Sequence, residues 1–195
     1  MKVFDISQEV LCCRIYEGDP APKVDKLLDM SDGELYNLSA FSMCAHNGTH
    51  IDAPKHFIKD GKSIDQMPLE SFVGPCFVAE HKGDVSAADA EKILTAAVSA
   101  GASERILLKG DLVVTSEAAK VFARAKIRLL GNESQTVGPE NAPMEVHLIL
   151  LSADVVLLEG IVLSNVDEGV YTLCAAPLNF SGIEGSPCRA ILIRE

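Results

Sequence analysis

The stretch Pro143-Met144-Glu145-Val146-His147-Leu148-Ile149-Leu150-Leu151-Ser152-Ala153-Asp154-Val155-Val156-Leu157-Leu158-Glu159-Gly160 decides the fold class. Residues 143 to 153 read as a helix, with Met144, His147, Leu148 and Leu151 on one stripe. Val155 to Leu158 then reads as a buried strand that ends at Glu159. The same helix-then-strand alternation runs upstream. Ser86 is placed to cap an Ala-rich helix that reaches Ala100, where Gly101 suits a stop, and Arg105 to Lys109 follows as a short apolar strand. Thr115 caps the next helix, with Ala118, Ala119, Phe122 and Ala125 at helical spacing, before a strand at Ile127 to Leu130. Downstream, Tyr171 to Ala175 and Ala190 to Ile193 close the sheet. The N-terminal part reads as extended segments at Val3 to Ile6, Leu35 to Cys44 and Phe72 to Glu80, with a Pro- and Asp-rich stretch at Gly18 to Pro22. No repeat, linker or low-complexity tract interrupts the chain. The expectation is an α/β protein with one mixed sheet, as a single domain over residues 1–195.

The 195 residues are 48% hydrophobic and only 5% aromatic, with no Trp, so the core should be aliphatic. The formal net charge of −11 supplies no basic footprint for nucleic acid. An acidic protein is equally unsuited to an anionic membrane surface, and no apolar run reaches the length of a membrane span. Met1-Lys2-Val3-Phe4-Asp5-Ile6 lacks the apolar core of a signal peptide. The six Cys (12, 13, 44, 76, 174 and 188) show no CxxC spacing. They read as reduced, mostly buried thiols in a cytoplasmic protein.

The chemistry concentrates in His46-Asn47-Gly48-Thr49-His50-Ile51-Asp52-Ala53-Pro54-Lys55-His56-Phe57, which holds three of the five His in the chain. Gly48 and Pro54 argue against a helix here. In extended chain, side chains alternate faces, so even offsets put His46, His50 and Asp52 on one side. Two imidazoles and a carboxylate suit Zn²⁺, Mn²⁺ or Fe²⁺. A lone His in a strand is more often a packing or surface residue, but three such groups on one face of a His-poor chain shift that balance toward a metal. Gly48 removes a side chain where the backbone must approach its surroundings closely.

The pattern His46-x-Gly48-Thr49-His50-x-Asp52-x-Pro54-x-His56 resembles the signature of the cyclase family of metal-dependent hydrolases, which includes bacterial kynurenine formamidase and isatin hydrolase. The resemblance extends to Phe4-Asp5-Ile6-Ser7, Tyr16-Glu17-Gly18-Asp19, Asp60 to Asp65, Pro68 to Glu70, Phe72 to Pro75 and Tyr171 to Leu178. The family's remaining ligands are a helical His and, twelve residues on, a Glu ending a strand, and His147 and Glu159 have that spacing. Taken alone, His147 would be a core residue on its helix and Glu159 a solvated strand end. A carboxylate in a buried strand is costly unless something pairs with it.

The resemblance implies a swivelling β/β/α-type fold and up to two divalent ions per subunit, zinc first with manganese as the alternative. His46, His50, Asp52 and Glu159 would hold one ion, and Asp52, His147 and Glu159 the second. It also implies hydrolysis of a small amide by metal-activated water, with His56 as the catalytic proton carrier, in a homodimer or tetramer. Tyr16 stands where formamidases place a Trp against an aromatic substrate, beside Glu17 where Pro is usual. Glu133 and Gln135 replace an Asp and a Pro common in the family. The substrate is therefore open among a formamide, a cyclic amide and another carbonyl compound such as a lactone. Cys44 is the nearest rival nucleophile, without the base and orienting group that a thiol would need. The rival from another class is a non-catalytic metal-binding module whose ligands fill every coordination position.

Overall fold

The computed structural model describes residues 1–194. The chain begins with β1 (Lys2–Asp5), the hairpin β2 (Lys23–Leu28) and β3 (Leu38–Ser42), and the short β4 (His50–Asp52). Next come β5 (Val73–Glu80), β6 (Gly83–Val85), α1 (Ala87–Ser99), β7 (Arg105–Lys109) and β8 (Leu112–Val114). The chain continues through α2 (Ser116–Ala125), β9 (Leu129–Asn132), α3 (Met144–Leu151) and β10 (Val156–Glu159). It ends with β11 (Gly169–Cys174), β12 (Gly185–Pro187) and β13 (Ile191–Arg194). Nine strands form one mixed sheet in the order β1-β13-β11-β5-β7-β9-β10-β4-β12. The central β5, β7, β9 and β10 are parallel, and the flanking pairs are antiparallel. This is the mixed α/β class expected from the sequence.

Strand alternation divides the aliphatic core in two. Ile106, Leu108, Leu130 and Leu157 face the layer holding Ala90, Ala97, Phe122 and Leu150 of the three helices. Leu107, Leu129, Val156 and Leu158 face the other way, onto Ile6, Ile51, Ile64 and Phe72. The helix starts follow the sequence: Ser86 and Asp89 form a reciprocal capping box on α1, and Thr115 Oγ1 accepts from the Ala118 amide at 3.2 Å. Gly101, at φ +73°, follows the end of α1.

Several expectations are corrected. The buried face of α3 is Val146, His147, Leu150 and Leu151, whereas Met144 of the expected stripe is 61% exposed. Ala125 of α2 is likewise exposed. The segment expected to be extended from Leu35 is strand only over Leu38–Ser42. Asn37 Oδ1 instead accepts from the Met30 amide at 2.8 Å and ties the hairpin tip. Strand β2 carries no strand signal in the sequence, because its charged residues mask the alternation, and β6, β8 and β12 are too short to give one. Only Cys76 among the six thiols is buried, and Cys12 is exposed.

Candidate metal centre

The sheet register builds the site. In the antiparallel β4–β10 ladder, His50 lies opposite Glu159, and Asp52 lies opposite Leu157. All four side chains therefore leave the sheet on its helix-covered face, while Ile51 and Leu158 enter the opposite core half. Helix α3 passes over that face and lowers His147 into the same space. Asp52, Glu159, His50 and His147 are each at most 2% exposed.

His46 arrives by a different route from the one the sequence suggested. The strand covers only His50–Asp52, and His46 precedes it in a turn closed by the Asn47 amide donating to the Cys44 carbonyl at 3.2 Å. Gly48 lets the chain re-enter the strand with φ +66°, and a Cβ there would lie 3.2 Å from Cys13 Cβ. His46 Nδ1 then lies 2.8 Å from Asp52 Oδ1. Beyond β4, Pro54 opens a 3₁₀ turn over Pro54–His56, which swings His56 back over the site. The His46 and His56 rings stack with centroids 4.1 Å apart.

Around the two carboxylates the imidazoles are close-set. His50 Nε2 lies 3.5 Å from both Asp52 Oδ1 and Glu159 Oε2. His147 Nε2 lies 3.3 Å from Glu159 Oε1 and 3.6 Å from Asp52 Oδ2, and His56 Nε2 lies 3.8 Å from Asp52 Oδ2. Two backbone carbonyls orient the rings: Gly48 O at 3.0 Å from His50 Nδ1, and Pro143 O at 2.9 Å from His147 Nδ1. A carbonyl can only accept, so each Nδ1 carries a hydrogen and each Nε2 is turned toward the carboxylates. The Val137 amide donates to Glu159 Oε1 at 2.7 Å.

Burial alone would lower the basicity of His46 and His147. The bonding and charge of Asp52, with Glu184 and Glu159 for His46 and Glu159 for His147, outweigh it and push the two imidazoles up to about 9 and about 10. His50 is raised for the same reason. Burial would raise both carboxylates, and Glu159 is raised further by Asp52. Their neighbouring imidazoles nevertheless hold Asp52 well below, and Glu159 below, the ordinary range. His56 moves the other way: burial lowers it, and the charges on His46 and His147 add to that.

The residues fit a divalent cation. His46, His50 and Asp52 offer ligand atoms all within 4.8 Å of one another, and so do Asp52, His147 and Glu159. His46 Nε2 and Asp52 Oδ2 are buried without a hydrogen-bond partner, a costly arrangement that a bound ion would relieve. The two groups share Asp52, and one carboxylate between two cations would screen their repulsion.

All five expected ligands and His56 thus converge, and all but Asp52 line a cavity of about 290 Å³. Tyr16 lines it too, with its hydroxyl donating to the Glu140 carbonyl at 2.9 Å. Glu17 lies in an adjoining hollow with Arg14 and Glu140, which are ion-paired. Asp19, Phe57, Thr136 and Pro143 also line the cavity, and the sequence reading assigned them no role. Spacing gave no signal for them, because they come from three separate connections: Asp19 before β2, Phe57 after β4, and Thr136 with Pro143 between β9 and α3.

The chain belongs to the cyclase family, whose model matches residues 4–139. A kynurenine formamidase from Salinibacter ruber (strain DSM 13855 / M31) is 31% identical over 206 residues, covering 98% of this chain and 97% of its own. A kynurenine formamidase from Erythrobacter litoralis (strain HTCC2594) is also 31% identical, covering 98% and 93%. Among solved structures, a "potential metal-dependent hydrolase with cyclase activity" superposes with a TM-score of 0.81 at 28% identity, over 100% of this chain and 98% of that one. An isatin hydrolase bound to the product analogue thioisatinate shares the fold at a TM-score of 0.85 and 20% identity, over 100% and 93%.

Proposed function

We propose that the whole chain is one metal-dependent hydrolase domain that cleaves the C–N bond of a small amide. The observation that carries this reading is the pair of buried carboxylates ringed by three imidazoles at the floor of the cavity, with two ligand-type atoms lacking any partner. His46, His50 and Asp52 would hold one cation, and Asp52, His147 and Glu159 a second, with Glu159 also within reach of the first. Zinc is the first choice and manganese the alternative, given three imidazoles and two carboxylates. Bound there, a divalent ion supplies Lewis acidity toward a carbonyl and a water acidified to near neutrality.

His56 is the proposed proton carrier. It is the one imidazole of the centre whose basicity is lowered, mainly by burial, which favours the neutral ring that a proton acceptor needs. It would take the proton from the attacking water and return it to the departing nitrogen. The Tyr16, Phe57 and Pro143 walls suit a flat ring, and the cavity volume suits one ring rather than two. An aryl formamide is the substrate class proposed first, in line with the formamidases at 31% identity.

A homo-oligomer and a cytoplasmic setting belong to the same reading. The β2–β3 hairpin exposes Val24, Leu27, Leu38 and Phe41, and a two-stranded hairpin needs cover, which a second copy would supply. The six cysteines are unpaired thiols, and no described helix is long and apolar enough to cross a membrane.

Elemental analysis of protein purified without chelator, beside His50→Ala and Glu159→Ala, tests the centre. Near-stoichiometric metal lost in both variants supports a site assembled from both halves of the chain. A metal-free wild type whose stability and activity ignore added Zn²⁺ and Mn²⁺ would overturn the hydrolase reading. A panel of aryl formamides, cyclic amides and lactones then assigns the bond. Tight metal with no turnover on any of them would leave a binding module.

A further inference from the structure

Gln135 is the chain's own solution to a packing problem beside the metal centre. It replaces a residue that the family resemblance leads one to expect as Pro, which has no side-chain hydrogen bonds to offer. Its side chain is 5% exposed and has both amide atoms engaged. Oε1 accepts from Gln8 Nε2 at 2.7 Å, and Nε2 donates to the Gly48 carbonyl at 3.2 Å, with the His46 carbonyl at 3.4 Å.

The direction of this chain of bonds is fixed by its far end. Gln8 Oε1 accepts from the Arg14 amide at 2.8 Å, so Gln8 must present its NH₂ to Gln135 and to the Gly160 carbonyl, which lies 2.8 Å away. Gln135 must therefore present Oε1 to Gln8 and NH₂ to Gly48. The Gly48 carbonyl then receives two donors, Gln135 Nε2 and His50 Nδ1–H. Its direction sets where the His50 ring points. No such support reaches His147, whose Nδ1 is held by the Pro143 carbonyl within its own helix turn.

We propose that Gln135, oriented by Gln8, is a positioning residue for the metal centre: it aims the Gly48 carbonyl, which fixes the tautomer and direction of His50. The inference rests on the metal reading above. The shorter bond runs to Gly48 and so to His50, with the His46 carbonyl at 3.4 Å a weaker second route, and an effect that depends on His50 separates Gln135 from a side chain that merely holds the fold.

A double-mutant cycle on metal affinity tests it. Zinc affinity is measured with added zinc against chromophoric chelators of graded strength, so that the weakened His50→Ala background is still readable, for wild type, Gln135→Leu, His50→Ala and the double variant. Thermal unfolding of each chelated protein is recorded alongside. In the wild-type background, Gln135→Leu should weaken binding by about 10–100-fold, the usual effect of losing a ligand's supporting hydrogen bond. In the His50→Ala background the same change should do almost nothing. Gln135→Met keeps the length of the side chain but has no donor for the Gly48 carbonyl, so it should behave as Gln135→Leu does and serves if the Leu variant does not fold. Equal losses in both backgrounds, or no loss in either, would overturn the proposal while leaving the metal centre standing. A wild type that binds no zinc would overturn the metal reading first, and this proposal with it.

Discussion

Replacing Gly160 with Ala should damage the protein more than the loss of a flexible backbone residue explains. Gly160 follows the proposed ligand Glu159 and has φ +67°. An Ala Cβ there would lie 2.4 Å from the Gly48 carbonyl oxygen, 2.3 Å from Gln135 Oε1 and 2.6 Å from Gln8 Nε2. The left-handed conformation alone costs Ala about 1–2 kcal/mol. Forcing a methyl into filled space adds about 1–3 kcal/mol more. Gly101 separates the two effects, because its φ of +73° is nearly the same and a Cβ there meets nothing within 4 Å. Urea unfolding of the chelated proteins should therefore place Gly160→Ala below Gly101→Ala by about 1–3 kcal/mol, the crowding contribution alone. Relief of the clash must push the Gly48 carbonyl away, so zinc affinity should fall in Gly160→Ala and not in Gly101→Ala. Equal stabilities for the two variants would refute the close approach of Gly48 to Gly160, and with it the packing of the His46–His50 turn on the end of β10.

His56→Gln should lower kcat by about 10²–10⁴-fold, the usual contribution of a proton carrier, with metal content unchanged. Loss of metal in that variant would make His56 a ligand instead. In the metal-free protein, His46 and His147 are raised from 6.5 to about 9 and about 10 and carry protons at neutral pH. Zinc must displace those protons, so calorimetry at pH 7.5 in buffers of different ionisation heat should show proton release on binding, and the apparent affinity should climb with pH; zero release would contradict the charged state of the empty site. Because their folded values are raised, both imidazoles stabilise the metal-free protein fully below about pH 6.5, and that contribution is lost as pH rises through 9 to 10. Its Tm should fall over that range, and a flat profile would count against the carboxylate pairing. Phe41→Glu combined with Leu27→Glu should shift the protein to a monomer in sedimentation velocity if the hairpin is covered by a second copy; an unchanged sedimentation coefficient would place the interface elsewhere.

The helix-then-strand alternation was legible wherever local signals were strong. Ser86 and Thr115 announce helix starts, and a short apolar run such as Val155 to Leu158, directly after a helix and ahead of Gly160, suits a buried strand. His50 and Asp52 also follow from strand alternation. His46 lies beside Asp52 for a different reason, since a turn closed on Cys44 delivers it rather than extended chain. Glu159 taken alone reads as a solvated strand end, and only the family spacing marks it as a ligand; β4 lies against β10 and seals it. That pairing brings together strands from opposite halves of the chain, and no local pattern in His50–Asp52 announces its partner. Gln8 carried no signal at all. Its importance comes from reaching both Gln135 and Gly160, and those contacts exist only once the halves of the chain have met.

The placement of β4 bears on how the protein folds. Thr49 and Gly160, joined by a 2.7 Å bond from hydroxyl to carbonyl, are 111 residues apart in the chain. The helix–strand units from β5 to β10 need far shorter loops to close, so they can assemble before β4 slots in. The cation ligands on β4 would then meet those on α3 and β10 only after the rate-limiting barrier. On this account the ion acts as a late clasp: in stopped-flow experiments zinc should slow unfolding and leave the refolding rate unchanged. Faster refolding with zinc would instead place the clasp in the folding nucleus.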